Sequence, residues 1–156
     1  MPQSDTRSPR LPDPAGSVQP VAGGQQIITA IYAGGVPPQT LELVHMRASQ
    51  INGCNACIAA GVTNAERIGL GADRLLALPA WRESDLFGDA ERAAVGLTEA
   101  MTRLADHPDV VTDEIWAEAA AHFDERALSA LVSMIALTNF FNRVNTTLKV
   151  QPGAWE

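Results

Sequence analysis

The stretch ELVHMRASQINGCNACIAAG, residues 42–61, contains both cysteines of the chain, Cys54 and Cys57. Apolar residues in its first half recur at the three- and four-residue spacing of an α-helix. Asn52-Gly53 is a typical helix end, and Cys54 then opens a second helix. The two thiols therefore share one face near a helix N-terminus, where free N–H groups favour a thiolate.

The rest of the chain also predicts helices, and no segment shows the strict alternation of apolar and polar residues that marks a strand. We expect helices close to residues 27–33, 37–51, 54–68, 73–78, 90–104, 113–122 and 125–148. Asp89, Thr112 and Asp124 are suitable N-caps for the last three. The sequence therefore predicts an all-α fold of about seven helices.

Residues 1–22 differ in composition from the rest of the chain. They carry five of the ten prolines and are otherwise rich in small and polar residues, which indicates a flexible or surface-wrapping tail. Residues 23–153 are predicted to form one helical domain, because their length suits a single hydrophobic core. Short helices rich in alanine and apolar residues indicate that other subunits bury part of their surface.

Charge and composition exclude several classes of partner. The formal net charge is −7, and the only lysine is Lys149, so the chain lacks the basic clusters that bind nucleic acid or an anionic membrane surface. No apolar run approaches the roughly 18 residues of a membrane-spanning helix, and no signal peptide is visible. We therefore expect a cytoplasmic protein, in which a CxxC pair is more often reactive or metal-binding than a structural disulfide.

Three chemistries are open to the Cys54/Cys57 pair. Structural zinc needs two more Cys or His ligands, and the three histidines, His45, His107 and His122, form no suitable pair. A thioredoxin-like site needs a preceding strand, which the sequence does not predict. The third option is a dithiol on a helical scaffold, whose spacing allows a disulfide. The simplest alternative is that two small buried cysteines only pack.

The residues around the cysteines carry a family resemblance. The quoted stretch resembles the core motif of the carboxymuconolactone decarboxylase/alkylhydroperoxidase D-like superfamily: a glutamate, then Arg-x-Ser-x-x-Asn-x-Cys-x-x-Cys, then a histidine four residues after the second cysteine. The matching residues are Glu42, Arg47, Ser49, Asn52, Cys54 and Cys57. LPAWRESDLFGDAERAAVGLTEAMT and ALTNFFNRVNTTLKVQPG are also similar to later segments of that family, so the resemblance covers roughly residues 24–153.

The resemblance implies an all-helical domain that assembles into homotrimers or homohexamers and needs no metal or cofactor. In the peroxidase members, the second cysteine, here Cys57, attacks the peroxide and becomes a sulfenic acid. Cys54 then forms the disulfide, which an external dithiol reductant of the lipoyl or thioredoxin type reduces. Glu42 and the downstream histidine form a proton relay that activates the thiol.

The chain departs from the motif at position 61, where Gly61 replaces the relay histidine. Loss of one acid–base group typically costs on the order of 10² to 10⁴ in rate, so we expect weakened peroxidase activity. The missing imidazole would leave an empty site for water or a ligand. The helix either kinks or restarts near Gly61, where Thr63 and Glu66 resemble a capping box, or stays continuous through packing.

Other polar residues have secondary roles in this prediction. His45 lies one turn after Glu42 and is a candidate substitute for the missing histidine, although a solvated or packed side chain is the simpler interpretation. Arg47 is expected in a structural ion pair. Ser49 and Asn52 are expected to cap and orient the backbone beside the cysteines.

The functional prediction is a cytoplasmic thiol-dependent hydroperoxidase whose activity is weakened by Gly61. A non-catalytic redox sensor or scaffold of the same family is the main alternative. A carboxymuconolactone decarboxylase is a weaker alternative, because its acid–base chemistry needs no CxxC pair.

Overall fold

The computed structural model describes residues 8–11 and 19–154, and within them it has seven α-helices and one short 3-10 helix. The helices are α1 (Gln19–Tyr32), α2 (Pro38–Asn52), α3 (Asn55–Arg67), α4 (Ala72–Ala77), the 3-10 helix (Leu78–Ala80), α5 (Asp89–Thr102), α6 (Asp113–Ala120) and α7 (Glu125–Leu148). No strand occurs in these described ranges. The prediction of an all-α fold of about seven helices is confirmed.

α2 is the central helix of the fold and packs against α3, α5 and α7. Leu41 and Val44 on α2 are completely buried in one core cluster, together with Leu97 of α5 and with Leu131 and Ile135 of α7. Burial of aliphatic side chains of this size contributes about 1.5–3 kcal/mol each. This cluster therefore stabilises the fold and fixes the position of every functional side chain on α2.

A second core cluster involves the next face of α2. Leu43 and Met46 pack there against Leu78, Trp81 and Val95. The cluster joins α2 to the 3-10 helix and to α5, and it leaves Met46 only 2% exposed. Because protein cores are closely packed, a side chain held in this way has little room to move.

The N-terminal part of the chain differs from the prediction. α1 begins at Gln19, so residues 19–22 of the predicted tail are helical. Gly23 and Gly24, inside α1, lower its helix propensity, but packing of α1 against α7 overrides that preference. The rest of the predicted tail, apart from residues 8–11, lies outside the described residues. Within 8–11, Arg10 donates hydrogen bonds to backbone carbonyls at the end of α7.

The predicted caps of the last two helices are confirmed. The Thr112 hydroxyl and the Asp124 carboxylate each accept a backbone N–H from the first turn of the helix that follows, at 3.3 and 2.8 Å. The prediction for α5 is wrong by one residue, because Gly88 is the N-cap and Asp89 is the first helical residue. The Glu91 carboxylate accepts the Gly88 N–H at 3.0 Å and so satisfies the cap from inside the helix.

α7 is long and apolar enough to cross a membrane, alone among the helices of the described residues, with a mean hydropathy of 1.3 over an 18-residue window. Within the fold, 44% of that window is buried, and its buried side chains belong to the core cluster formed with α2 and α5. Core helices of compact domains also meet criteria of length and composition. We therefore interpret α7 as the central packing partner of α2.

Glu99 on α5 joins three parts of the fold through its buried carboxylate. Oε1 accepts hydrogen bonds from Arg47 of α2 at 2.7 Å and from Trp81 at 3.0 Å, and Oε2 accepts one from Arg82 at 2.7 Å. The predicted structural ion pair of Arg47 is thereby confirmed. Burial alone would raise the pKa of Glu99, but the hydrogen bonds from Trp81, Arg82 and Arg47 outweigh it and lower the pKa from its ordinary value of 4.5.

Replacing Glu99 with glutamine is expected to lower the free energy of unfolding by about 1–2 kcal/mol at neutral pH, because the ion pairs are lost while Trp81 keeps an acceptor. The folded pKa of Glu99 lies below its unfolded value. Its contribution is therefore complete above about pH 4.5 and disappears as the pH falls through the folded pKa. Urea unfolding at pH 7 and near pH 3 measures both effects. Glu118→Gln, which changes an exposed carboxylate on α6, is the matched control, and an equal loss there would contradict the assignment.

Candidate active site

The link between α2 and α3 consists of Gly53 and Cys54 and places both cysteines at the start of α3. Gly53 has a φ of 65°, a left-handed conformation that glycine adopts without strain. Cys54 is the N-cap of α3, and its Sγ accepts a hydrogen bond from the Cys57 backbone N–H at 3.3 Å. Cys54 and Cys57 form a disulfide, with their Cα atoms 5.3 Å apart. The predicted helix start at Cys54 is confirmed.

Ser49 and Asn52 hold this link against α7. The Asn52 amide donates to the side-chain oxygens of Asn139 and Asn142 at 3.0 and 2.9 Å. Asn142 in turn donates to the Ser49 hydroxyl at 3.1 Å, and both of these residues are buried. The sequence predicts that Ser49 and Asn52 cap the backbone, but their side chains instead bond across the contact between α2 and α7. The network fixes the end of α2 and so the position of Cys54.

Glu42 and His45 form a hydrogen-bonded pair on α2. Glu42 is 1% exposed, and its Oε1 lies 2.7 Å from His45 Nδ1. Its other carboxylate oxygen accepts a hydrogen bond from the Asn64 amide of α3. In the tautomer that donates from Nδ1 to Glu42, His45 Nε2 is free to accept a proton. The structure thus gives Glu42 an imidazole partner, although position 61 has none.

Cys57 shares a cavity with this pair. The cavity lies between α1, α2, α3 and α7. Its volume of about 430 Å³ is within the usual range for small-molecule sites. Its apolar wall is formed by Ile28 of α1 and by Met134, Leu137 and Phe141 of α7. Its polar lining comprises Gln25, Tyr32, Glu42, His45, Asn64, Arg67, Thr138 and Asn145.

Cys54 borders a different cavity. This second space has a volume of about 240 Å³ and lies between the start of α3 and the end of α7, with Lys149 and Val150 on its wall. Cys57 does not line it, and Cys54 does not line the larger cavity. The disulfide therefore stands between two cavities, and each cavity is lined by one of the two cysteines.

Gly61 is buried at the contact between α2 and α3, and α3 runs through it without a break. A Cβ built on Gly61 would overlap Met46 Sδ and would lie 3.0 Å from Glu42 Oε1. The expectation of an empty site at position 61 is wrong, because the Met46 side chain fills that space. Of the two alternatives predicted for this helix, the continuous one is observed. The Thr63 hydroxyl donates to the Ala59 carbonyl within the same helix.

Asn145 is a candidate site residue that the sequence analysis missed. It lies near the end of α7, is 5% exposed, and its amide donates to Cys57 Sγ at 3.4 Å. Its side-chain oxygen is buried and has no hydrogen-bond partner among the described residues. A buried polar atom without a partner calls for an explanation. The one signal in the sequence is a polar residue on the inward face of an otherwise apolar helix.

Tyr32 contributes a neutral polar group to the larger cavity. Burial raises the pKa of Tyr32 and outweighs the opposing hydrogen bond from Asn64, and the charge of Glu42 raises the pKa further. The phenol therefore stays protonated at neutral pH and can donate a hydrogen bond.

The remaining predicted candidates lie elsewhere. His107 and His122 are exposed and line neither cavity. Within the described residues, no group of three or more His, Cys, Asp or Glu side chains is arranged to hold a metal ion. The structure thus brings Cys57, Glu42 and His45 together in the larger cavity, with Cys54 bonded to Cys57.

Comparisons with known proteins bear on the family and the fold of the chain. The model of the carboxymuconolactone decarboxylase family matches residues 24–100. The uncharacterized protein YdfG of Bacillus subtilis (strain 168) is 34% identical to this chain over 109 residues, which are 70% of this chain and 73% of that protein.

Two solved structures are similar. ATU0492 of Agrobacterium tumefaciens, a protein of unknown function with a suggested identity as the antioxidant defence protein AhpD, has a TM-score of 0.83 at 24% identity, over 93% of this chain and 98% of its own. The debrominase Bmp8, in its apo form, has a TM-score of 0.72 at 27% identity, over 86% of this chain and 71% of its own. These similarities confirm the predicted helical fold.

Proposed function

The chain belongs to the carboxymuconolactone decarboxylase family, and from this premise we propose that it is a thiol-dependent peroxidase that reduces organic hydroperoxides to alcohols. The observation that carries the proposal is that Cys57 shares one cavity with the hydrogen-bonded pair of Glu42 and His45. A reactive cysteine needs a base nearby and a space for its substrate. Both lie beside Cys57, although Gly61 replaces the histidine of the motif.

His45 is the base in this proposal. Its Nδ1–H bonds to Glu42, so that Nε2 accepts the thiol proton of reduced Cys57 directly or through one water molecule. The Glu42 carboxylate holds the ring in this tautomer and stabilises the imidazolium that forms, as a carboxylate does for the histidine of a serine hydrolase. His45 therefore replaces the missing relay group, and the activity does not depend on position 61.

The reaction then proceeds in two steps. The Cys57 thiolate attacks the terminal oxygen of R–O–OH: the S–O bond forms, the O–O bond breaks, and RO⁻ takes the proton from His45 and leaves as the alcohol. The Cys54 thiol next attacks the sulfenic sulfur of Cys57. The S–S bond forms, the S–O bond breaks, and the hydroxyl leaves as water with the Cys54 proton. Two thiols are oxidised to one disulfide for each hydroperoxide reduced.

Asn145 orients both reactants in this scheme. Its amide N–H, which donates to Cys57 Sγ at 3.4 Å, would stabilise a charged sulfur more than a neutral one. Its unpaired side-chain oxygen can accept the O–H of the hydroperoxide, which offsets the cost of burying that oxygen without a partner. The same amide would thus hold the attacking sulfur and the oxygen under attack.

The reductant is proposed to be an external dithiol of the lipoyl or thioredoxin type that reaches Cys54 through the smaller cavity. Its thiolate attacks Cys54 Sγ, the bond to Cys57 breaks, and Cys57 leaves as a thiolate that Asn145 already contacts. The second thiol of the donor then attacks the donor's own sulfur in the mixed disulfide and releases the Cys54 thiol. A cycle that needs reduced dithiols fits the cytoplasm, which we propose as the compartment.

A homotrimer or homohexamer is the proposed assembly. Several large apolar side chains remain on the surface of the chain, including Leu76 at 82%, Leu104 at 64% and Trp116 at 44% exposure. Subunit contacts commonly bury side chains of this kind.

Reduced protein mixed with cumene hydroperoxide tests the proposed function. We expect each chain to consume one hydroperoxide and to form one disulfide, with the alcohol as product. Oxidised protein without a dithiol donor is the control and should consume none. In the Cys54→Ser variant, a sulfenic acid should accumulate on Cys57 and react with dimedone. If reduced wild-type protein consumes no hydroperoxide and keeps both thiols, the proposal is wrong and a scaffold role is favoured.

Reductive dehalogenation is a second candidate, supported by the similarity to the debrominase Bmp8 at 27% identity and by the apolar wall beside Cys57. The thiolate would attack the halogen, forming an S–Br bond as the C–Br bond breaks, and the ring carbon would take the proton from His45. Cys54 would then displace bromide as the disulfide forms. Release of bromide from a brominated pyrrole by the reduced protein, without turnover of cumene hydroperoxide, would favour this candidate.

A further inference from the structure

The larger cavity has a charged end that the peroxidase chemistry does not use. Arg67 lies in the last turn of α3 and lines the cavity together with Cys57, Ala60 and Asn64. These residues are spaced three, four and three positions apart, so they form one face of α3 along the cavity. With a rise of about 1.5 Å per residue, Arg67 stands roughly 15 Å from Cys57 along the helix axis.

The Arg67 guanidinium is available to a ligand. One of its nitrogens donates to the Asn64 side-chain oxygen at 2.7 Å, which draws the group back along the cavity face. Among the described residues, no carboxylate lies within ion-pair distance of it. Glu42, the acidic residue of the cavity, already bonds to His45 and Asn64. Most of the N–H donors of Arg67 therefore remain free for an anion.

A cation in the last turn of a helix also interacts favourably with the helix dipole. That interaction accounts for a positive charge at this end of α3. It does not depend on which face of the last turn carries the charge. The position of Arg67 on the face that carries Cys57 is what points to a ligand.

The cavity also has an apolar wall, formed by Ile28 of α1 and by Leu137 and Phe141 of α7. A molecule that fills the 430 Å³ of the cavity therefore needs a reactive group at Cys57, an apolar middle and an anion at Arg67. Because the guanidinium is held at Asn64, seven residues after Cys57, the two polar ends lie about 10 Å apart along the helix.

We propose that this cavity binds hydroperoxides that carry a carboxylate, with the carboxylate on Arg67 and the hydroperoxide at Cys57. The expected class is a medium-length apolar chain with an acid at one end, such as a hydroperoxide of a fatty acid. A guanidinium matches a carboxylate with two parallel hydrogen bonds, which gives both affinity and orientation. The inference that this ligand carries a hydroperoxide rests on the proposed function. The inference of an anion site rests on the position of Arg67.

Binding of unreactive analogues to the oxidised protein tests the anion site apart from turnover. Isothermal titration should show that decanoate binds at least about fivefold more tightly than 1-decanol, and Arg67→Gln should remove the difference. Arg143→Gln is the matched control, because Arg143 is exposed, donates to an asparagine oxygen at 2.9 Å and lies outside this cavity. Equal binding of decanoate and 1-decanol to the wild type, or equal effects of the two variants, overturns the proposal.

Kinetics then separates the anion site from the reaction. With a hydroperoxy fatty acid and its methyl ester, the ratio of kcat/KM for acid over ester should exceed about five in the wild type and fall to about one in Arg67→Gln, mainly through KM. Turnover of both substrates without preference overturns the anion site and leaves the proposed function standing. If decanoate binds through Arg67 but no hydroperoxide is turned over, the anion site is supported and the proposed peroxidase function is wrong.

Discussion

Replacing His45 with asparagine is expected to lower kcat/KM for an organic hydroperoxide by about 100-fold or more. The asparagine amide can still donate to Glu42, but it has no nitrogen that accepts the Cys57 proton and returns it to the leaving alkoxide. The fold should tolerate the change, because the His45 side chain is 20% exposed and lies at the cavity rather than in the core clusters. A steady-state assay with a saturating dithiol donor measures the loss.

The size of the loss separates proton transfer from a purely structural role, because loss of one acid–base group typically lowers a rate by on the order of 10² to 10⁴. His122→Asn is the matched control, since His122 is exposed and lies outside both cavities, and its rate should stay within about twofold of the wild type. If the His45→Asn variant keeps the wild-type rate, the hydrogen bond between His45 and Glu42 has only a structural role.

Much of the fold could be predicted from the sequence because its signals are local. Thr112 and Asp124 cap their helices through N–H groups only three residues away, so the capping residue and the helix start appear together in the sequence. Gly53-Cys54 likewise marks both the end of α2 and the start of α3. Periodic apolar residues give the buried face of each helix for the same reason.

The rest of the site depends on contacts between residues that are far apart in the chain. Asn145 contacts Cys57 across 88 positions, and no local pattern of residues reports such a contact. The family motif placed the relay imidazole at position 61, on the helix of Cys57. In the structure, the imidazole beside Glu42 belongs instead to His45, which lies on α2 together with Glu42. Which of these positions is used depends on how closely α2 and α3 approach at Gly61, a property of packing rather than of either segment alone.

Restoring the motif histidine is expected to harm this protein. Gly61→His should lower the free energy of unfolding by about 2–3 kcal/mol, because a Cβ at this position already overlaps Met46 Sδ. Met46 is 2% exposed and packed in the second core cluster, so moving its side chain aside disturbs that packing. The substitution should not raise the peroxidase rate either, since Glu42 Oε1 is already bonded to His45. Urea unfolding and the hydroperoxide assay measure the two effects.

The cause of this loss can be isolated with smaller changes at matched positions. Alanine is normally favoured over glycine in a helix by about 1 kcal/mol, and Gly23→Ala in α1 should show that gain because a Cβ there meets nothing within 4 Å. Gly61→Ala should instead destabilise the protein.

Truncating Met46 to alanine removes the atom that the new side chain at position 61 would meet. The loss in free energy of unfolding of the double variant Met46→Ala/Gly61→His should therefore be smaller than the sum of the two single losses by about 1 kcal/mol or more. If the two losses simply add, the overlap is contradicted. In a chain that also carries His45→Asn, Glu42 has lost its imidazole partner, and the same two changes direct a new imidazole toward it from α3. Recovery of turnover in that triple variant would show that positions 45 and 61 are alternative places from which one relay can be supplied, and that the size of residue 46 decides between them.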